Sequence, residues 1–313
     1  PTTTANITAK GLTVTGITAT NRVYDASTSA TALLDKTTAA LSGVESGDTV
    51  TMSHSSATAS FTDKNIGTGK TVNIAGITIS GADAGNYTLS QPSTTANITA
   101  KTLTVSGITA ANKTYNASTV ATLSTGSAAF VGVESGDTVT IGVGSATGAF
   151  ADKNVGSGKT VQVSGVTKSG ADAGNYTITQ PTTTANITAK GLTVTGITAT
   201  NRVYDATTGA TALLDKTSAA LSGIESGDTV TMDHTSATAT FADKNVGSGK
   251  SVSISGITIG GVDSGNYTLS QPSTTANITA KTLTVSGITA ANKTYNASTV
   301  ATLNTGSAAF VGV

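Results

Sequence analysis

Gly85-Asn86-Tyr87-Thr88-Leu89-Ser90-Gln91-Pro92-Ser93-Thr94-Thr95-Ala96-Asn97-Ile98-Thr99-Ala100-Lys101 decides how this chain is organised. The stretch returns, with small changes, at 174–190 and at 265–281, and residues 1–10 repeat its second half. Each full copy leads into an alternation such as Leu103-Thr104-Val105-Ser106, which buries one face of a strand and exposes the other. Few flexible residues follow Pro92. The sequence therefore predicts a continuous β connection through the junction residues Asn97, Ile98, Thr99, Ala100 and Lys101, ending one unit and beginning the next.

The prolines Pro1, Pro92, Pro181 and Pro272 give the period: 92 − 1 = 91, 181 − 92 = 89 and 272 − 181 = 91. Two repeat types alternate. Residues 1–91 differ from 181–271 at 16 positions, and 92–133 differ from 272–313 at one, Ser124 against Asn304. The higher-order unit is thus 180 residues, an A repeat and a B repeat. The two-residue difference falls between Tyr24 and Glu45 against Tyr115 and Glu134 (21 steps against 19), around the place where 33–39 faces 123–128, as expected of a surface loop. A period near 90 residues exceeds the coil of a solenoid and suits a small domain with its own core. The expected division is residues 1–9 as the end of a preceding repeat, 10–100 as type A, 101–189 as type B, 190–280 as type A, and 281–313 as a truncated start of type B. The chain begins and ends in mid-repeat and reads as a window on something longer.

Within one repeat, short alternating runs are separated by Gly, Asp, Asn and Ser every 8–12 residues or so, with no helical period. Strands are expected over 12–17, 22–25, 49–52, 57–61, 70–74, 77–79 and 86–89. The predicted core is Leu12, Val14, Ile17, Tyr24, Leu33, Val50, Phe61, Val72, Ile74, Ile77, Tyr87 and Leu89. The fold class that follows is all-β: tandem immunoglobulin-like antiparallel β-sandwich domains in an extended rod.

Composition narrows the function. Lys and Arg number 17 against 17 Asp and Glu, so no long-range field draws nucleic acid or an anionic surface. The absence of Cys rules out disulfides and thiol catalysis. No apolar run approaches the roughly 18–20 residues that span a membrane.

Several motifs invite chemistry and are better read as structure. Gly156-Ser157-Gly158-Lys159-Thr160 resembles the end of a phosphate loop, but Lys153 stands where its first Gly is needed and a strand pattern follows. His54 and His234 are equivalent and have no second His or Cys to share a metal. Asp63, Asp83, Asp152, Asp172, Asp243 and Asp263 lie in Asn- and Gly-rich loops of the kind calcium favours, without the spacing of a known calcium loop. Asn86, Asn97, Asn175, Asn186, Asn266 and Asn277 stand in glycosylation sequons.

Asn-Lys-Thr-Tyr-Asn-Ala-Ser-Thr at 112–119, Asn-Arg-Val-Tyr-Asp-Ala-Ser-Thr at 21–28, Ser-Gly-Ala-Asp-Ala-Gly-Asn-Tyr-Thr at 80–88 and Ala-Asn-Ile-Thr-Ala-Lys at 96–101 resemble the YDG-type repeat. That repeat occurs in very large bacterial surface adhesins resembling filamentous haemagglutinins. Ala26, Ala117, Ala206 and Ala297 stand where the third residue of the motif is usually Gly. The resemblance implies an extracellular, secreted or cell-surface location, no enzymatic activity and no cofactor. The expected function is a non-catalytic stalk that holds a binding tip away from the cell. Its partners would be the neighbouring repeats, with a host or surface ligand bound by other regions and neither nucleic acid nor membrane engaged here. Two alternatives are a self-assembling extracellular fibre or sheath, in which copies join one another in a filament or biofilm, and a carbohydrate- or ice-binding module.

Overall fold

Alternation sets the first strand, β1 (Lys10–Thr15): Leu12 and Val14 face inward while Thr13 and Thr15 face solvent. It stops at Gly16, whose φ of +77° turns the chain within reach of the Thr38 carbonyl. The computed structural model describes residues 1–313, which form two compact units. One comprises residues 1–111, 120–151 and 158–185; the other comprises 112–119, 152–157 and 186–313. The chain is all-β, interrupted only by three-residue 3-10 turns. None of its helices is long and apolar enough to cross a membrane.

In the first unit the A repeat continues through β2 (Thr18–Ala19), β3 (Arg22–Val23), β4 (Leu34–Asp35), β5 (Ala40–Ser42), β6 (Thr51–Ser53) and β7 (Thr58–Phe61). It closes with β8 (Gly67–Ala75), β9 (Thr78–Ser80), β10 (Tyr87–Leu89) and β11 (Ser93–Thr99). These make four small sheets, ordered β10-β1-β5, β3-β11-β8-β7, β2-β4 and β6-β9. Pairing is mixed, which corrects the purely antiparallel expectation. β1 runs parallel to β10, with Lys10 opposite Tyr87, and β11 runs parallel to β3, with Ile98 opposite Arg22. Both parallel pairs join residues more than 70 apart, so no local turn signal announces them.

The core holds nine of the twelve expected residues; Leu33, Val50 and Leu89 are only half-buried. Ala30, Ala57, Ala59, Ala96 and Ile98 are buried as well. Leu12 and Val72 are fully enclosed, each worth about 1.5–3 kcal/mol by apolar burial. The apolar cluster of the first repeat also takes in Leu103 and Tyr176 from the second, so the core runs on through the junction.

The junction is almost the expected continuous strand. β11 ends at Thr99 and β12 (Lys101–Ser106) begins two residues later, leaving Ala100 as the only residue between them. Asn97 marks a register shift in the β8–β11 ladder. Its side-chain oxygen accepts from Gly69 N at 2.7 Å, and its own N–H donates to Asn21 Oδ1 at 2.7 Å.

The 33–39 segment is more ordered than a surface loop: a 3-10 turn at Thr31–Leu33 runs into β4, and Lys36 Nζ donates to the His54 carbonyl at 3.2 Å. In the shorter B repeat the Leu123 side chain lies close against Gly148. A Cβ on Gly148, where the A repeat has Ala59, would lie 2.7 Å from it.

The second unit repeats this scheme. Lys190–Thr195 pairs parallel with Tyr267–Ser270 and antiparallel with Ala220–Ser222, and Ser273–Thr279 pairs parallel with Arg202–Val203. Residues 281–313 add two short ladders, Thr284–Ser286 with Ala309–Val311 and Thr289–Ala290 with Leu303–Asn304.

The four motif alanines adopt the left-handed conformation, with φ of 58°, 56°, 64° and 55°. Glycine takes this region freely, whereas an L-side chain costs about 1–2 kcal/mol. In the first repeat the turn is held by Ser27 N donating to Asp25 Oδ1 at 3.0 Å. It is held also by the Arg22 guanidinium, which donates to the Ser27 and Ser29 carbonyls while lying 4.9 Å from the centre of the Phe61 ring.

Candidate functional site at the inter-repeat joint

The densest polar cluster in each unit lies where one repeat meets the next. It begins with the Glu-Ser-Gly-Asp turn. In the second repeat Asp137 N donates to the Glu134 carbonyl at 3.2 Å, with Gly136 at φ +89°. A 3-10 turn at Ala173–Asn175 then places Asp172, Asn175 and Tyr176 beside it. Tyr176 Oη donates to Asp137 Oδ2 at 2.6 Å and accepts from Glu134 N at 3.0 Å.

From the first repeat, Tyr24 Oη donates to the same Asp137 Oδ2 at 2.7 Å, and Lys64 Nζ lies 2.6 Å from Asp137 Oδ1 and 2.9 Å from Asp172 Oδ1. Asn175 Oδ1 accepts from Ile66 N at 3.0 Å while its amide donates to Asn65 Oδ1 at 3.1 Å. The Tyr24 and Tyr176 rings meet edge to face at 5.3 Å. The Asp137 side chain is 1% exposed, so this carboxylate is buried and fully partnered.

The second unit holds the same arrangement between the second and third repeats. Tyr115 and Tyr267 donate to Asp228 Oδ2 at 2.7 and 2.6 Å, and Lys153 Nζ lies 2.6 Å from Asp228 Oδ1 and 3.4 Å from Asp263 Oδ1. Asn266 Oδ1 accepts from Val155 N at 2.9 Å, and the two rings stand 5.3 Å apart. The front half of this site forms without a partner: in the first repeat Tyr87 Oη donates to Asp48 Oδ2 at 2.6 Å, and Asp83 Oδ2 accepts from Thr49 N at 2.8 Å.

Charge follows from these contacts. Burial alone would raise the Asp228 carboxyl; the Lys153 ammonium and the Tyr267 and Tyr115 hydroxyls outweigh it and hold it at about 2. Burial likewise opposes ionisation of Asp137, and Lys64, Tyr176 and Tyr24 prevail to hold it low. Burial, then the bond to Asp228, pushes Tyr267 up to about 12. A carboxyl depressed on folding adds stability that is complete above its ordinary value of 3.8 and is lost as pH falls through the folded value. The second joint is therefore expected to loosen between about pH 4 and about pH 2, and the first to loosen likewise as pH falls below the ordinary carboxylate range. The chain has no Trp, so tyrosine fluorescence reads this directly; a signal unchanged across that window would contradict the assignment.

The residues singled out from sequence divide between joint and repeat. Asp172 and Asp263 belong to the joints. Asp63 pairs within its own repeat with Lys70 at 2.7 Å, as Asp243 does with Lys250, and Asp152 Oδ1 accepts from Asn154 N at 2.8 Å. No three His, Asp or Glu side chains converge as metal ligands, and at each joint a lysine ammonium stands between the two carboxylates. Asn175 and Asn266 are 4% and 5% exposed, so a glycan has no room there and both leave the glycosylation candidates. Asn86, the equivalent in the first repeat, is exposed. Asn277 repeats the backbone-bracing role of Asn97, and Asn186 N donates to Asn112 Oδ1 at 2.7 Å. The Gly156–Ser164 segment is a strand, without the helix a phosphate loop requires.

Sequence reasoning placed Tyr24 and Tyr87 in the core and passed over Lys64, Lys153, Asp137 and Asp228. A signal was present. All seven tyrosines occupy only two repeat positions, that of Tyr24 (with Tyr115, Tyr204 and Tyr295) and that of Tyr87 (with Tyr176 and Tyr267). A phenol kept where Phe would fill the same space points to a buried acceptor.

Comparison with known proteins bears on the repeat itself. The family model described as the YDG domain matches residues 8–96, 99–185 and 188–276. No curated protein matches the chain. Among solved structures, the crystal structure of Drosophila N-cadherin EC1-4 aligns over 87% of this chain and 75% of that one, at 8% identity and a TM-score of 0.26, too low to bear on the fold. The three matches span well over half of the sequence, and the chain belongs to the YDG domain family.

Proposed function

We propose that these tandem YDG domains form a non-catalytic structural stalk of a large bacterial surface adhesin. The stalk is exported to the cell exterior and holds a binding tip, carried elsewhere, away from the cell. The observation that supports this reading is the joint. The same buried carboxylate, two tyrosines and lysine recur at both complete junctions, with one residue between the strands they link. A tether meant to flex would place Gly, Ser or Pro there and leave the facing surfaces solvated. Here each junction buries one carboxylate and pairs it with a lysine, as suits a spacer under tension. The parallel pairs at the entering and leaving strands would load their hydrogen bonds in shear.

Electron microscopy of the purified chain, and of versions with more repeats, tests this reading. Separate thin rods whose length grows in proportion to repeat number are expected. Regular helical filaments would instead favour a fibre in which copies of the chain assemble. Binding of the same protein to glycan arrays or to ice would overturn the stalk in favour of a binding module.

A further inference from the structure

We infer that the left-handed alanines Ala26 and Ala117 are joint residues, whose methyl groups grip the following repeat at the expense of local backbone strain. The inference rests on the reading of the joint as the working part of a stalk.

The chain supplies its own comparison. All four motif alanines share one conformation, with φ between 55° and 64°. Yet Ala26 and Ala117, each followed by a complete repeat, are half-buried, while Ala206 is exposed. Ala26 packs against an apolar cluster that joins Tyr24, Phe61 and Ile98 of its own repeat to Leu103 and Tyr176 of the next, and Val133 packs against the same cluster. Ala206 does not join the core cluster of its own repeat; it lines an open cavity with Tyr204, Asn245, Val246, Leu283 and Val313. Leu283 and Val313 are the counterparts of Leu103 and Val133, each 180 residues later.

Covering of this methyl therefore depends on the repeat that follows: it is half-buried at Ala26 and exposed at Ala206. Glycine would relax the turn but remove the methyl. Alanine at this position ties the stability of each repeat to the presence of its successor. It sits beside the tyrosine that enters the joint, so the strained turn and the buried Asp137 cluster share one side of the interface.

The test compares A26G, A117G and A206G in the full chain by amide hydrogen exchange. The probes are Ile66 N–H, bonded to Asn175 at the first joint, and Val155 N–H, bonded to Asn266 at the second. A26G is expected to speed exchange at Ile66 about three- to fivefold, the equivalent of one buried methyl, and A117G to do the same at Val155. A206G is expected to leave both amides unchanged and to raise the unfolding temperature of the third repeat. Unchanged exchange at Ile66 in A26G, or equal effects of A26G and A206G, would overturn the inference. Filaments under the microscope would instead remove the stalk reading and leave this exchange pattern standing.

Discussion

Asp137→Ala is expected to remove about 3 kcal/mol from the first joint. The variant leaves two buried phenols, Tyr24 and Tyr176, without their shared acceptor, and takes from Lys64 the nearer of its two carboxylates. Breaking one member of a buried, fully bonded set costs more than the set contributes relative to an apolar replacement, because the partners stay desolvated. The control lies in the same chain. Asp48 occupies the equivalent position in the first repeat and accepts from Tyr87 alone. Asp48→Ala should therefore lose distinctly less. Denaturant unfolding followed by tyrosine fluorescence separates the two, since Tyr24, Tyr87, Tyr115, Tyr176 and Tyr267 all donate to carboxylates of this set. Equal losses would show that Asp137 serves only its own turn. Asp137→Asn, which keeps an acceptor oxygen but not the charge, should fall between.

Gly107→Ala is expected to be comparably severe, at about 4 kcal/mol, for a reason confined to one repeat. Gly107 ends β12 at φ +77°, and a Cβ built there would lie 1.9 Å from the Ser127 carbonyl oxygen. That neighbour is backbone, anchored where the strand over Ala129–Val131 pairs with β12, so it cannot move aside cheaply. Gly158 provides the contrast: its φ is +59°, but nothing lies within 4 Å of the added carbon. Gly158→Ala should cost only the left-handed conformation, about 1–2 kcal/mol. Thermal unfolding of the two variants checks the difference, and a mild Gly107→Ala would mean that the turn after β12 can relax.

The clash at Gly107 was not legible in the sequence, although the strand before it was. Leu103-Thr104-Val105 announces a strand because alternation is a local property of the chain, fixed by the two-residue period of the extended backbone. The same local reasoning locates β1, β7 and β8, the Asp- and Gly-bearing turns, the 180-residue higher-order period and most of the buried core. What it misses involves distance. Parallel pairing of β1 with β10, and of β11 with β3, carries no turn between partners. The alanines Ala30, Ala57, Ala59 and Ala96 are buried because sheets approach there, and nothing in an alanine itself says so.

The joint shows the same division. The opening stretch, read alone, already gives an unbroken β passage from Asn97 to Lys101; the structure differs only in a one-residue break at Ala100. Sequence thus determined that the chain is a tandem all-β array with short junctions, because periodicity and the lack of flexible residues are properties of neighbours along the chain. Only the tertiary structure decided that the junctions are cemented. It brought together Tyr24, Lys64, Asp137, Asp172 and Tyr176, which are far apart along the chain, and excluded water from Asp137. A carboxylate acquires that role through the partners burial gives it, and burial is set by the fold as a whole.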